Sequence, residues 1–418
     1  MYCKVIDKKG RQAYNDQHEQ GRSSEEGRVS GSEACFPLMN ALTFWSDHDT
    51  KGEEAMLREG QVRIPSGCAV SGIFAKDGRR LSGEAIIKSI SIMHDRSNGL
   101  GGGFAGYGIY PEYKEHYAFH VFYDDKAAKE ACEKFIDDHF DVVNLSKIPV
   151  RKTPKITDEP LIWRYFVNPL PTKLKDSQLD EREYTARCVM RINTRIRRRL
   201  CVFQRKKHGR VQGGRLPGGC GGLLPAGGIL RLLLDRPRAV PYQYARLVGG
   251  AHPFAMLDYS VVHNGEVSSY DANRRYIEMF GYQCTLLTDT EVITYLVDYL
   301  HRRQKLTLEE VANVIAAPFW STIEQKPEPE RSRLTYLRNA FSSLLLTGPF
   351  SILLGFDGGM MALNDRLKLR SMVVGEKDET VYIASEESAI RVVEPNPDRL
   401  WAPKGGEPVI VTLNGGVH

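Results

Sequence analysis

The stretch LDYSVVHNGEVSSYDANRRYIEMFGYQCTLLTDTEVI, residues 257–293, decides the fold. It opens with an apolar strand, LDYSVVHNG, that ends in a turn. The following SSYDANRRYIEMFGY is typical of a helix that stops near Gly281. A second helix is expected at DTEV, because Thr288 or Asp289 can cap it. One strand and two helices therefore frame two short polar motifs, HNG and TDTE.

Predicted strands and helices outside this stretch come in groups. Strands are expected at CAVSGIF (68–74), HYAFHVFY (116–123), PFSILLGF (349–356), TVYIAS (380–385) and EPVIVTL (407–413), and helices at DKAAKEACEKFIDDHF (125–140), DTEVITYLVDYLHRR (289–303), LTLEEVANVIAAPF (306–319) and EPERSRLTYLRNAFSSLLL (328–346). Tight alternation of single strands and helices is missing. The order predicts an α+β layered domain rather than a doubly wound parallel sheet.

Composition places the chain among globular proteins. It has 418 residues, of which 42% are hydrophobic and 26% are charged. No apolar run reaches the roughly 18 residues that span a bilayer, and the N-terminus lacks an apolar signal core. Eight cysteines without a CxxC pair argue against a disulfide framework, a zinc site and an iron–sulfur cluster. We therefore expect a cytoplasmic protein with reduced thiols, no metal and no membrane partner.

Two segments depart from this composition. Residues 1–67 are polar and contain NDQHEQGRSSEEGRVSGSE, which is typical of a disordered extension. Residues 195–248 carry thirteen Lys and Arg against one Asp, a local net charge of +12 in a chain of +5. The rest of the chain is therefore net negative, so this basic segment does not indicate nucleic-acid binding by the whole protein. Its GGRLPGGCGG lacks the Lys-Ser/Thr ending of a phosphate-binding P-loop.

Three short motifs contain residues that can carry chemistry. Cys68 begins an apolar strand, where a lone cysteine is more commonly a core residue than a nucleophile. Asn264 and Gly265 form a strong turn signal, but an Asn amide and a Gly N–H can also form an oxyanion hole. Asp289 suits a helix N-terminus, but its carboxylate can also hold the ammonium group of a ligand. None of the three motifs is specific by itself.

The order and spacing of these motifs resemble the class II glutamine amidotransferases, which are N-terminal-nucleophile (Ntn) hydrolases. The closer resemblance is to the glutaminase domain of glutamate synthase, especially its free-standing form in split enzymes. HDRSNGLGGGFAGYGIYPEY, GGAHPF, LDYSVVHNGEVSSY, GPFSILLGF, LNDRLKLRSMVV and IASEESAI carry the similarity, which covers residues 62–413 except the basic segment. The resemblance implies a four-layer αββα sandwich.

The resemblance also implies a role for each candidate residue. Cys68 would be the nucleophile that attacks the glutamine side-chain amide, with its own α-amine as the base. Asn264 and Gly265 would form the oxyanion hole, and Asp289 would bind the glutamine α-ammonium. A glutamyl thioester would give glutamate and ammonia without a metal or cofactor in this chain. The ammonia would go to a glutamate synthase-type partner subunit that carries FMN and iron–sulfur clusters.

Two departures from the family bear on activity. Cys68 is internal, so the mechanism requires cleavage between Gly67 and Cys68, and residues 1–67 would then be a propeptide or an artificially long start. The family also carries a motif close to GHARFPTNTPGWW before GGAHPF, whose Arg clamps the glutamine α-carboxylate. Here residues 236–248, RPRAVPYQYARLV, hold that place. Read one nucleotide later, their codons permit the family motif, which favours compensating frameshifts near residues 194–205 and 249.

The sequence thus predicts a domain over residues 68–418 that hydrolyses L-glutamine and supplies ammonia to a synthase partner. Two alternatives stay open. In the first, the chain is an impaired relic of the same fold that acts only by association, as the missing Arg and the blocked Cys68 indicate. In the second, RIRRRLCVFQRKKHGR, residues 195–210, is a nucleic-acid-binding arm, although it lacks interleaved aromatic residues.

Overall fold

The computed structural model describes residues 68–93, 96, 103, 105–149, 161–196, 199–204 and 253–417. Residues 1–67 and most of the basic segment lie outside this set, and so do the predictions of a propeptide, of a frameshift and of a basic arm. The described strands are β1 (Ser71–Ala75), β2 (Tyr117–Tyr123), β3 (Phe140–Lys147), β4 (Leu161–Pro169), β5 (Arg199–Gln204), β6 (Phe254–Met256), β7 (Tyr259–Gly265), β8 (Phe350–Phe356), β9 (Gly359–Asn364), β10 (Val373–Lys377), β11 (Thr380–Ala384), β12 (Arg399–Trp401) and β13 (Val409–Thr412).

The helices cover much of the remaining described chain. They are α1 (Gly83–Ser91), α2 (Lys126–His139), α3 (Pro171–Ser177), α4 (Glu181–Arg195), α5 (Tyr270–Glu278), α6 (Asp289–Val297), a π-helix (Asp298–Arg303), α7 (Leu308–Ile315), α8 (Trp320–Glu324), α9 (Glu330–Ala340) and α10 (Glu387–Arg391), with short 3-10 turns at Pro111–Tyr113 and Ser342–Leu344. Within the described ranges, none of these helices is both long and apolar enough to cross a membrane.

The predicted elements are present with small shifts at their ends. LDYSVVHNG contains β7, and the two helices expected after it are α5 and α6. Asp125 caps α2 as expected, because its side chain accepts a hydrogen bond from Ala128 N at 2.8 Å. The sequence pattern missed β3, which begins at Phe140 immediately after α2 without a turn residue between them. Local signals fail there because the chain changes from helix to strand at a buried aromatic residue.

The described strands pair antiparallel and form three sheets. The first sheet has the order β1-β11-β10-β12, the second β13-β9-β8-β7-β6, and the third β3-β4-β2-β5. The sheets are antiparallel, and the helices come in groups between strands along the chain. The described chain is therefore α+β, as predicted. The sequence pattern does not predict the third sheet as a unit, because it misses three of the four strands, β3, β4 and β5.

An apolar core lies between the first and second sheets. Its members from the first sheet are Val374, Val381 and Ile383, and those from the second are Leu353, Met360, Ala362, Val409 and Val411. Gly72 of β1 approaches the second sheet so closely that an added Cβ would lie 2.9 Å from Met360 Sδ. The two sheets therefore pack face to face, with a glycine at one point of closest approach.

Helices cover the opposite faces of these two sheets. In β8, Leu353 belongs to the core between the sheets, whereas Ile352 and Leu354 belong to a core shared with α6. This division follows from the alternation of side chains along a strand. On the first sheet, Ala384 of β11 packs with Ile390 of α10. At these positions, each sheet contacts the other sheet on one face and a helix on the other face.

Candidate active site

Cys68 lies in the segment that leads into β1, and its side chain is partly exposed. Two residues later, both backbone polar groups of Val70 form hydrogen bonds with Ser385. Val70 N donates to Ser385 Oγ at 3.0 Å, and Ser385 N donates to Val70 O at 3.0 Å. Ser385 is buried and directly follows β11, the pairing partner of β1. The first sheet therefore fixes the chain beside Cys68.

Ser385 also connects this segment to Asn264. The Nδ2 atom of Asn264 donates to Ser385 Oγ at 3.3 Å, and Asn264 is fully buried near the end of β7. Its Oδ1 atom is buried and has no hydrogen-bond partner among the described residues. Ser385 thus links the Cys68 segment to the amide predicted for an oxyanion hole. Sequence reasoning gave Ser385 no role, although it stands in IASEESAI as the last residue of a predicted strand.

Gly265 is the last residue of β7, and its φ of +152° allows an unusually close approach to β8. An added Cβ would lie 2.0 Å from Pro349 O and 2.8 Å from Phe350 Cα. Only glycine fits this contact. The alternative interpretation of Asn-Gly as a turn is wrong, because both residues belong to β7 and pair with β8.

Asp289 is the first residue of α6, and Thr288 is the N-cap. One carboxylate oxygen lies 3.3 Å from His263 Nδ1, and the other accepts a hydrogen bond from Val267 N at 3.1 Å. His263 precedes Asn264 in the HNG motif, and Val267 follows the motif. Asp289 therefore contacts both the first residue of the HNG motif and a residue just after the motif. It can begin α6 and still lie next to the candidate site.

Charged side chains surround the Cys68 thiol. Burial raises the pKa of the thiol above its usual value, and the negative charges of Glu266 and Asp289 add to the rise. The positive charges of Arg370 and Arg96 oppose it. A thiol with a raised pKa is mostly protonated at neutral pH, so its use as a nucleophile requires a base. Neither arginine was singled out from sequence.

A second acid, which is buried, lies in the first turn of α6. The two carboxylate oxygens of Glu291 accept hydrogen bonds from Leu286 N at 2.9 Å and Thr285 N at 3.2 Å. Glu291 is 1% exposed, and this burial raises its pKa to about 7. The carboxyl group shapes the loop before Asp289 and titrates near neutrality.

We expect the free energy of unfolding to fall as Glu291 ionises. The folded-state pKa of about 7 lies above the ordinary value of 4.5, so the folded state holds the proton more tightly. The resulting stabilisation is complete below about pH 4.5 and is lost as pH rises through 7. A pKa shift of this size corresponds to about 3 kcal/mol. Urea denaturation between about pH 5 and 8 should give a flatter profile for Glu291→Gln than for the wild type.

The exposed Glu309→Gln variant is the matched control and should keep the wild-type profile. A Glu291→Gln profile that runs parallel to the wild-type profile would show that the folded state does not raise the pKa of this carboxyl.

No family model matches the chain. A protein of Archaeoglobus fulgidus, described as uncharacterized, is 43% identical over 349 residues, which cover 83% of this chain and 92% of that protein. The chain belongs to the family of this Archaeoglobus protein. The match extends over most of both chains, so the similarity between the two proteins is not limited to the short motifs around the candidate site.

Two enzymes match shorter parts of the chain described here. Glutamine–fructose-6-phosphate aminotransferase of Pseudomonas aeruginosa is 28% identical over 165 residues, which are 38% of this chain and 24% of the enzyme. Amidophosphoribosyltransferase of Methanocaldococcus jannaschii is 23% identical over 164 residues, which are 38% of this chain and 29% of the enzyme. These distant homologies support a class II glutamine amidotransferase. The matches span less than a third of either enzyme, and neither enzyme is a glutamate synthase.

Similarity to solved structures is low. The allosteric regulatory enzyme of purine biosynthesis gives a TM-score of 0.31 at 13% identity, over 83% of this chain and 48% of that chain. A similarity of this size does not bear on the fold, which rests on the sheets and cores described above.

Proposed function

We propose that this chain, once it begins at Cys68, hydrolyses L-glutamine to glutamate and ammonia as a class II glutamine amidotransferase. The observation that supports the proposal is the Ser385 bridge, in which one buried hydroxyl contacts the backbone beside Cys68 and the amide of Asn264. Asp289, on the other side of the HNG motif, supplies a carboxylate for the glutamine α-ammonium.

The proposed reaction starts with proton transfer from the Cys68 thiol to the Cys68 α-amine, whose ordinary pKa is near 8. The sulfur attacks the side-chain carbonyl carbon of glutamine, and the Asn264 amide and the Gly265 N–H stabilise the oxyanion. The amine returns its proton to the leaving nitrogen, and ammonia departs from a glutamyl thioester. The same amine then activates water, which releases glutamate and restores the thiol.

In this proposal Ser385 is a positioning residue for Asn264. Its oxygen accepts a hydrogen bond from Val70 N, and its hydroxyl hydrogen remains able to donate. A half-turn of the Asn264 amide places Oδ1 opposite this hydroxyl and leaves Nδ2 free to donate one hydrogen bond to the oxyanion. The Oδ1 atom then also gains the hydrogen bond that it lacks among the described residues.

Kinetics of variants test the site. In a chain that begins at Cys68, Asn264→Ala should lower kcat by about 10²–10³-fold, because one oxyanion donor is lost. Ser385→Ala should lower kcat by about tenfold with a smaller change in KM, because Asn264 stays but loses one fixed contact. Ammonia release from L-glutamine measures both parameters, and the exposed Ser388→Ala is the control.

Equal kcat values for Ser385→Ala and Ser388→Ala would show that Ser385 does not position Asn264. The oxyanion-hole role of Asn264 would not be affected by that result. An unchanged kcat in Asn264→Ala would contradict the oxyanion hole itself. If no variant and no wild-type chain releases ammonia, even with the family Arg restored, the impaired relic is the better description.

We propose an αββα Ntn sandwich with residues 68–418 as its domain, supported by the face-to-face packing of two sheets with helices on their other faces. We also propose that a glutamate synthase-type subunit accepts the ammonia, supported by the sequence motifs alone. Copurification of such a subunit with this chain, encoded by a neighbouring gene, tests the partner.

A further inference from the structure

A basic pocket lies between the start of α4 and the end of the π-helix. Its cavity volume is about 510 Å³, which is within the range of small-molecule sites. The lining side chains are all charged, five positive and two negative: Asp180, Arg182, Glu183, Arg187, Arg302, Arg303 and Lys305. The positive excess at the wall is the feature to explain.

One lining carboxylate, that of Glu183, accepts hydrogen bonds from three guanidinium groups. Arg187 Nε and Arg303 Nη2 each lie 2.8 Å from Glu183 Oε1, and Arg302 Nη2 lies 3.1 Å from Oε2. Burial alone would raise the pKa of Glu183, but these cations lower it below its usual value. Asp298 also pairs with Arg302, so two carboxylates face these three guanidinium groups and one positive charge remains around Glu183.

Carboxylates behind the wall hold two arginines in place. Asp298 has no exposed surface and accepts two hydrogen bonds from Arg302, at 2.6 and 2.7 Å. Asp258 pairs with Arg182 at 2.5 Å. Donor groups whose orientation is already fixed lose less entropy when an anion binds.

Three donor groups of the lining residues keep hydrogen-bonding capacity. The Nε atoms of Arg182 and Arg303 are buried and have no acceptor among the described residues. Lys305 is exposed, and its ammonium group makes no ion pair within the described part of the chain. These donors are not used by the carboxylates that line the pocket.

An irregular backbone brings three of the cations together. Residues adjacent in sequence do not share a face of a regular helix. Here α6 continues into the π-helix, which ends at Arg303, and Lys305 has a φ of +60°. Single π-turns are rare and often occur at functional sites. The π-helix and the residues after it thus place Arg302, Arg303 and Lys305 at one pocket.

We propose that this pocket binds a small polar molecule that carries at least one phosphoryl group. Guanidinium forks match the oxygen geometry of phosphate, and no described lining side chain is aromatic or aliphatic, which disfavours a stacked base or an apolar body. The length of α6 and the π-helix puts the pocket about 20 Å from Asp289, so it is separate from the candidate active site.

Calorimetric titration of the full chain with inorganic pyrophosphate tests the proposal. The wild type should bind saturably, and the affinity should fall with added salt. Arg187→Gln and Lys305→Gln change exposed side chains, and each should weaken binding about tenfold. Lys326→Gln removes a partly exposed cation that does not line the pocket, and it should bind like the wild type.

Thermal unfolding without pyrophosphate should give the same midpoint for all four proteins, which separates loss of the site from loss of the fold. Absence of saturable binding to the wild type would overturn the proposal. Equal affinities of Arg187→Gln, Lys305→Gln and Lys326→Gln would overturn it as well, because binding would then not depend on the pocket.

Discussion

A chain that begins at Cys68 is expected to hydrolyse glutamine about 10²–10⁴-fold faster than the chain that keeps residues 1–67, the range that a positioned base contributes. In the longer chain the nitrogen of Cys68 is part of a peptide bond and has no basic lone pair. Since burial and nearby carboxylates raise the pKa of the thiol, little thiolate forms without that base. The measurement is kcat/KM for ammonia release from L-glutamine.

Two controls separate the amine from the thiol. The chain that begins at Cys68 with Cys68→Ala should have no glutaminase activity, because it keeps an α-amine but lacks the nucleophile. A chain with one additional residue before Cys68 should resemble the long chain. Intact mass spectrometry of the long chain before and after incubation reports whether cleavage at Gly67 has occurred. Equal kcat/KM values for the short chain and an uncleaved long chain would rule out the α-amine as the base.

Restoring the family motif should produce the second large effect. Residues 236–248 have the length of GHARFPTNTPGWW, and the restored Arg stands at the position of Ala239. An Arg that clamps the glutamine α-carboxylate forms a bidentate ion pair, and the loss of one partner of such a pair costs about 2–5 kcal/mol. Replacement of residues 236–248 by the motif should therefore raise kcat/KM by roughly 30-fold or more, mainly through KM.

The matched control carries GHAAFPTNTPGWW, which restores the segment but leaves Ala239 unchanged. If this control gains as much activity as the full motif, the segment acts through its conformation and not through the Arg. If neither replacement changes KM, the α-carboxylate is bound elsewhere. Resequencing the gene gives an independent answer. If the present sequence results from two compensating frameshifts, one near residues 194–205 and one near residue 249, the new reads will show a different reading frame between them.

The two effects together distinguish enzyme from relic. A relic predicts no activity from any combination of a released Cys68 and a restored Arg, whereas an amidotransferase predicts the highest activity when both are present. The effects should combine approximately as a product, because the amine acts on the thiol and the Arg acts on the far end of the substrate.

Local signals were sufficient for many elements of this fold. The Asp125 cap, the strand that ends in HNG and the helix that begins at TDTE depend on residues close together in the chain, and all three are present. The candidate residues Cys68, Asn264, Gly265 and Asp289 came from motif order and resemblance. Their roles remain proposals, but the structure holds Asn264 and Asp289 by contacts that short motifs do not encode.

Tertiary structure decided what joins distant parts of the chain. Ser385 lies more than a hundred residues from both Val70 and Asn264, and no periodicity relates it to either one. The burial that raises the pKa of Glu291 and the pairing of Glu183 with Arg302 and Arg303 likewise depend on neighbours from other elements. By itself, the sequence determined the helix caps, the strand patterns and the chemical types at the candidate site. Which side chains lose water and which charges meet depended on packing, because desolvation and Coulomb interactions act through space and not along the chain.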